Sequence, residues 1–573
     1  MRGLGTRAFV ALALLVGAAV AVAAPATAAN RPAKTREVRS VVPMGKSDAE
    51  FGRVVKMPAG RATPPSTPLV VRLRASATPR LGQPFTLELQ VHAYRSAPGT
   101  QVHFELPEGA VVVSGDSSTT LDLAAGETRS LIIVAELTKT GQNEIDGKAF
   151  RQVSPGESWG DLDQLFFTMG QDRSRVGYKT STGNVEAPAH LVAGSASVRT
   201  GTPRATANFK ICWNMINRAG GTTPFRDALV YLADADTGSP DILAQAFTND
   251  SGCATFNGVN TADADEGGLI DPFVEIQTQH TGRYRVQTYG GGIYFCDSTA
   301  HTNAGGSFNF GTWNCGGTSG VGRAFPLFDD IYVLRRFINE HAVNLGFGAP
   351  VADCTVRWEI GGTDGTYYST GDKLVHLADG NQRSRDITLH ECSHRQMDVL
   401  YHNQFPATDC PSPHFLNGVS GKICAWTEGW TYVDTAGADG NPQYTFDDGS
   451  SLNLETANCN TPNFDDGPNV EARVGGTLID LMDPFTNSFG TVSGFSNETS
   501  PCGGNDNVSG QYGHIWALMS EQKDKVFIAQ DGQNDSFSRA WKAKKDDGYP
   551  QAEALAAGKV NSISNFTKDS APK

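Results

Sequence analysis

Residues 385–403 read RDITLHECSHRQMDVLYHN, and within that stretch HECSH sets His390 and His394 four apart with Glu391 beside the first. On a helix, residues four apart share a face, so both imidazoles can reach one ion at Zn–N distances of about 2.0–2.1 Å, with Glu391 beside the open coordination position. The chemistry this spacing permits is metal-assisted hydrolysis, in which a bound water loses its proton to the neighbouring carboxylate. The competing reading is a helix that carries two histidines by coincidence. Multiplying the chain's own His and Glu frequencies over its length gives roughly 0.01 expected HExxH matches, so coincidence is the weaker explanation.

A catalytic zinc takes three protein ligands and a water, so a third ligand must come from elsewhere in the chain. Met397 and Leu400 stand where a local glycine and histidine would be needed to supply it. The stretch CAWTEGWTYVD, Cys424–Asp434, offers Glu428 followed by Gly429 on a second predicted helix. Trp426 and Trp430 flank it, whereas a surface carboxylate would have polar neighbours. Asp409, Asp434 and Glu455 are the rival carboxylates.

HECSH together with TEGW resembles the gluzincin class of zinc metallopeptidases, whose third ligand is a glutamate in an E-G context on a following helix. The resemblance covers the chain from about residue 320 onward. It implies zinc held by His390, His394 and Glu428, with Glu391 as general base and a protein or peptide as substrate. Two features depart from the class. The segment between His394 and Glu428 is longer than in the thermolysin-like and aminopeptidase-like branches and reads as an inserted, disulfide-pinned loop. Tyr432 stands where the thermolysin-like pattern has an aspartate, which leaves the partner of the zinc histidines open. A donor to the tetrahedral oxyanion is also wanted. His514 and Tyr512 in GQYGHIW are the candidates, with Tyr432 behind them, each set against a plain packing role. His402 and His414 read as solvent-exposed or loop histidines, and Arg473 as one half of a helix-surface ion pair with Glu471 or Asp480.

The elements that must position these residues follow from pattern and punctuation. A chain of 573 residues exceeds one core, and 39% hydrophobic with 63 glycines and 29 prolines suits several turn-rich folded units. Residues 1–29 carry Arg2 and Arg7, an apolar run and a small-residue exit at Ala28 or Ala29; they read as a secretory signal peptide rather than a retained anchor. Residues 30–68 are polar and proline-bearing, a linker or propeptide. Alternating segments over 69–183 predict an immunoglobulin-like β-sandwich. A second strand-rich stretch, 205–315, resembles the small transthyretin-like sandwiches found beside secreted peptidases. From 320 to 573 helical periodicity dominates, with Leu327, Ile331, Leu334 and Ile338 on one stripe. The fold class expected is thus multidomain: two all-β sandwiches, then an α+β zincin-type metallopeptidase domain.

Composition bounds the partners and the compartment. The formal net charge of −14 lacks any basic block interleaved with aromatics, so no nucleic-acid footprint is present, and no later segment is apolar enough to span a membrane. Ten cysteines without a CxxC point to disulfides in a secreted, extracellular protein. Nearest-neighbour closure pairs Cys212 with Cys253, Cys296 with Cys315, Cys354 with Cys392, Cys410 with Cys424 and Cys459 with Cys502. Ca2+ has the acidic loops TADADE, FDDGSS, NFDDGPN and DGQNDS available, but ordinary turns explain them and nothing in the sequence supports the ion. The sequence leads to a secreted zinc peptidase. Its rival is an extracellular binding or adhesion protein in which the sandwiches do the work and the zinc region is structural or inactive.

Overall fold

The computed structural model describes residues 69–563 with interruptions; residues 1–68, 177–190, 192–205, 522–556 and 564–573, with short stretches elsewhere, lie outside the described residues. The leader expected over 1–29 and the linker or propeptide over 30–68 therefore fall outside them. What is described is a multidomain, β-rich chain with several sandwich-like pairs of sheets and five α-helices among the described residues.

The first nine strands are β1 (Leu69–Ala75), β2 (Phe85–Ala93), β3 (Ala97–Glu105), β4 (Ala110–Ser114), β5 (Ser118–Leu123), β6 (Thr128–Leu137), β7 (Gly141–Ser154), β8 (Glu157–Met169) and β9 (Ser174–Val176). One sheet runs β1-β2-β6-β4, and β5-β3-β7-β8 forms the other. Alternation explains the pairing: Leu87, Leu89 and Val91 of β2 point inward and are fully buried, as are Leu165 and Phe167 of β8.

The next strands are β10 (Thr206–Ile216), β11 (Thr222–Pro224), β12 (Leu229–Asp234), β13 (Asp241–Phe247), β14 (Cys253–Asn260), β15 (Pro272–Gln277), β16 (Gln279–His280), β17 (Tyr284–Gln287), β18 (Phe295–Asp297) and β19 (Phe308–Cys315). Two four-stranded sheets, one centred on β10 and one on β12, face each other. Phe209, Ile211 and Trp213 alternate inward along β10. The Cys212–Cys253 and Cys296–Cys315 disulfides tie this unit together.

The remainder holds α1 (Ala324–His341), β20 (Cys354–Trp358), β21 (Tyr367–Ser369), β22 (Leu374–Leu377), α2 (Arg385–Leu400), α3 (Lys422–Asp439), β23 (Gln443–Thr445), β24 (Ser451–Asn453), α4 (Glu471–Met482) and α5 (Tyr512–Glu521). Leu327, Ile331, Leu334 and Ile338 of α1 are all fully buried, as their spacing requires.

Two sheets cross the boundaries drawn from sequence. The strands β16 and β17, inside the stretch assigned to the second sandwich, belong to a five-stranded sheet of order β16-β17-β20-β22-β21. There β17, β20 and β22 run parallel and β21 closes the edge antiparallel. Valines on its central strands, Val286, Val356 and Val375, are fully buried and extend one continuous core from Trp213 to Trp430. The second crossing joins β24 to β8, so a hairpin from beyond α3 extends the first sandwich.

Charge reinforces that second junction. Arg383, one residue before the Ser384 cap of α2, pairs with Glu144 of β7 at 2.7 Å and also with Asp146; Arg323 reaches Glu144 at 2.6 Å. Burial alone would raise the Glu144 carboxyl, but Arg323 and Arg383 hold it below its usual range, while burial pushes Asp146 up to about 7. Removing one partner of a buried ion cluster leaves desolvated charge behind. Arg383→Met is expected to destabilise the protein by about 3 kcal/mol, seen as a lower denaturant midpoint. A shift worth under about 0.5 kcal/mol would class the cluster with surface ion pairs.

Candidate metal centre

The helix α2 begins where the sequence provides a cap: the Ser384 hydroxyl accepts the Ile387 N–H at 3.1 Å, and Asp386 lies in the first turn. The Asp386 carboxylate accepts the Thr445 N–H at 2.8 Å, so β23 is fastened to this helix end. The motif histidines fall in the second and third turns, buried together with Glu391.

Opposite them stands α3, whose Glu428 is flanked by the fully buried Trp426 and Trp430. Its Oε2 lies 2.9 Å from His390 Nε2 and 3.3 Å from His394 Nε2. A tetrahedral ion with bonds of about 2.0–2.1 Å sets its ligand atoms about 3.3 Å apart, so two nitrogens and one carboxylate oxygen this close can share one divalent ion. The three ligand atoms lie within 4.8 Å of one another.

The tautomer of His390 follows from one hydroxyl. Thr431 donates its proton to the Glu428 carbonyl at 2.5 Å, so towards His390 Nδ1, 2.8 Å away, it can only accept. Nδ1 therefore carries a ring hydrogen, which makes Nε2 the ring nitrogen that can give its lone pair to an ion. Sequence reasoning left this partner open; a threonine three residues past a ligand is too common a pattern to single out. His394 is held instead by packing, with the Phe405 ring 5.9 Å away.

The electrostatics are those of buried charge in mutual compensation. Burial would raise Glu428, but the His394 charge and the hydrogen bonds of both imidazoles hold it well below the usual carboxylate range. His394 is raised: burial works against this, and the Glu428 carboxylate overcomes it. Burial pushes Glu391 up against the pull of His390 and His394.

A fourth participant was missed. His414 read as a loop histidine, yet its Nδ1 lies 2.9 Å from Glu471 Oε1, and His414, Glu428 and Glu471 form a second group with ligand atoms within 4.8 Å. The hydrogen bond to Glu471 raises His414 to about 9. The Cys410–Cys424 disulfide ties its loop to the start of α3, which is the one signal in sequence that could have placed it.

Other expectations are corrected. The Tyr512 hydroxyl donates to Asp434 at 2.7 Å, deep in the core, and its ring packs 4.4 Å from Phe337; a hydroxyl so committed serves packing, not an oxyanion. His514 rests 4.6 Å from the Phe347 ring. Arg473 is fully buried and pairs with Asp466 at 3.2 Å, not with Glu471 or Asp480. Four of the five disulfides form; Cys354 and Cys392 stay free and buried, where desolvation holds the Cys392 thiol far above the range needed for exchange. Of the rival ligands, Asp434 is bound to Tyr512, Glu455 accepts the Ser496 N–H at 2.6 Å, and Asp409 lies outside the described residues. In the TADADE loop, Asp263 comes within 4.8 Å of Asp234 and Asp236. Asp234 is buried and the other two are half-buried, and Asp265 and Glu266 are outside the described residues.

With this geometry in view, residues 349–509 match the family model described as the Mycolysin C-terminal domain. That segment, less than half of the chain, is thus similar to a domain of bacterial secreted zincin-type metalloproteases. The matched range contains His390, Glu391, His394, His414, Glu428 and Glu471. No curated protein matches the chain. Similar solved structures include a 9R-lipoxygenase from Cyanothece PCC8801 (13% identity, 28% of this chain and 27% of that one, TM-score 0.16). A fragment of alpha-2-macroglobulin from Escherichia coli gives 18% identity over 30% of this chain and 24% of that one, TM-score 0.17. The FixG-related protein from Vibrio parahaemolyticus gives 10% identity over 17% of this chain and 94% of that one, TM-score 0.14. The chain thus spans about a quarter of the first two. The four disulfides fit an extracellular protein, and no helix among the described residues is long and apolar enough to cross a membrane.

The glycine beside Glu428 has a structural duty. A Cβ on Gly429 would lie 2.6 Å from the Val474 side chain and 3.0 Å from the Glu471 carbonyl, so α3 and α4 meet there only without one. Gly429→Ala is expected to cost about 1–3 kcal/mol by overpacking and to weaken metal affinity by displacing Glu428, measurable by denaturation and competitive chelation. Unchanged stability and affinity would mean that the helix contact is slack.

Proposed function

We propose that the chain is a secreted zinc peptidase, with His390, His394 and Glu428 as ligands and Glu391 as general base. The observation that carries this is the convergence of two Nε2 atoms on one carboxylate oxygen, at 2.9 and 3.3 Å, with Thr431 leaving His390 Nε2 as the nitrogen for the ion. The match to the Mycolysin C-terminal domain supports peptide as the substrate class. On this reading residues 320–573 are an α+β zincin-type domain.

Zinc held by these three residues would supply a water of lowered pKa, about 7, and a Lewis acid for the scissile carbonyl. Glu391, buried beside the ligand histidines, would hold the proton given up by the attacking water and pass it to the leaving amine. His414 takes the part expected of His514 or Tyr512. Its side chain is 37% exposed, against the buried motif histidines, and its hydrogen bond to Glu471 keeps a proton on the pair across the neutral range. A cationic donor in that position stabilises the developing oxyanion.

Purified wild-type protein is expected to bind zinc stoichiometrically and to digest a protein such as casein. Glu391→Gln should keep the zinc and lose about 10²–10⁴-fold in kcat. Glu428→Ala should lose the metal itself. Equal digestion by wild type and Glu391→Gln, both zinc-loaded, would remove Glu391 from the mechanism. His414→Gln is expected to lower kcat about 10²–10³-fold at full zinc occupancy; unaltered kcat would return His414 to a structural role.

A further inference from the structure

Asp398 lies one turn beyond His394 on α2 and is fully buried. A carboxylate taken out of water persists only where donors surround it. Its Oδ2 gathers three: the Tyr368 hydroxyl at 2.6 Å, Lys373 Nζ at 2.8 Å and Arg395 Nη1 at 3.5 Å. Arg395 is on the same helix, but the other two come from the β21–β22 hairpin. Tyr368 is the middle residue of β21, and Lys373 sits in the turn that follows.

That turn is strained in a way the carboxylate explains. Lys373 has φ of +64°, a left-handed conformation unfavourable for a residue with a Cβ, and it is held there while its ammonium reaches Asp398. The strand itself has little else to fix it: β21 is three residues long and pairs with β22 alone, through three register positions at the sheet edge. The Phe405 ring lies 6.3 Å from Tyr368 and 5.9 Å from His394, bridging the same strand to the metal centre.

We propose that Asp398 is a positioning residue. As the common acceptor of Tyr368 and Lys373, it latches the β21–β22 hairpin onto α2 and so keeps Tyr368, and through it the Phe405 ring, against His394. Its bearing on catalysis rests on the reading of His394 as a zinc ligand. Asp398 touches neither substrate nor ion; it acts through the edge strand. The single buried charge is suited to this because two donors from different parts of the hairpin, a strand residue and a turn residue, fix its position and tilt together.

The test uses the full chain and two variants. Asp398→Asn keeps an oxygen for the tyrosine hydroxyl but removes the charge that holds Lys373, and Tyr368→Phe removes one contact while conserving volume. Hydrogen exchange over residues 365–377, zinc content, and kcat and KM on a fluorogenic peptide are measured for each. Exchange at residues 367–369 is expected to quicken about tenfold or more in Asp398→Asn, with zinc content unchanged. In the same variant kcat should fall about tenfold while KM stays within about twofold, a split that general destabilisation would not produce. Tyr368→Phe should shift both readouts in the same direction by less. Unchanged exchange in both variants, or a kcat loss that tracks loss of zinc, would overturn the latch. Faster exchange in a protein whose wild type cleaves no peptide would uphold the latch and sink the peptidase reading instead.

Discussion

Everything at the metal centre depends on burying charge that cannot be buried alone. Glu391, Glu428 and Glu471 are each less than a tenth exposed, within reach of three imidazoles. An isolated carboxylate in such surroundings would take up a proton, and Glu391 and Glu471 are both shifted that way by desolvation. Glu428 is shifted oppositely because two imidazoles converge on one of its oxygens. The environment thus separates three chemically identical side chains: one is kept ionised at the centre, one is left basic enough to accept a proton, and one is tied to His414. Separation of this kind requires fixed distances, and fixed distances require close-packed helices. Gly429 and Gly437 supply them. A Cβ on Gly437 would meet the Phe337 ring at 2.1 Å, so α3 is clamped between α1 and α4 by the residues that are missing side chains.

The β-rich front of the chain takes part in that clamping. The first sandwich lends its sheet to β23–β24, and the same hairpin donates a backbone N–H to Asp386 and places Tyr444 beside His390, ring centres 6.1 Å apart. Arg383, immediately before the cap of α2, is drawn into the carboxylates of β7. Both ends of the motif helix are therefore anchored to sheets: its start to the first sandwich and its last turns, through Asp398, to the edge of the five-stranded sheet. A spacer module would share neither a sheet nor a buried ion cluster with the site it carries.

What sequence made legible follows from the range of the interactions. HECSH could be read because helical geometry fixes an i, i+4 pair locally, and Glu428 because two tryptophans and a glycine mark a helix buried on every side. The alternation of β2 and β10 and the stripe of α1 were legible for the same reason. Residues whose role is set by a distant partner were not. His414 depends on Glu471, 57 positions away, and Tyr512 on Asp434, 78 away, so a tyrosine near the end of the chain looked available when its hydroxyl was already spent. Sheet membership failed likewise: β17 resembles any sandwich strand until β20 pairs with it in parallel. Thr431 was hidden by its ordinariness, since only the direction of its own proton tells that it accepts from His390.

The distinction between His414 and the two motif histidines is one of exposure and of charge count. The imidazoles of His390 and His394 are nine-tenths buried and point Nε2 at a shared carboxylate, whereas His414 stands 37% exposed with Nδ1 on a separate one. Three carboxylates with three neutral imidazoles would leave three negative charges in a desolvated place. A divalent ion at the first group and a proton on the His414–Glu471 pair bring that sum to zero. A second divalent ion at His414, Glu428 and Glu471 would displace the proton and leave an excess of one positive charge, with Glu428 shared between two ions. Low dielectric penalises any uncompensated charge. On the proposed reading, charge balance therefore favours the metal at the inner group and the proton at the outer histidine.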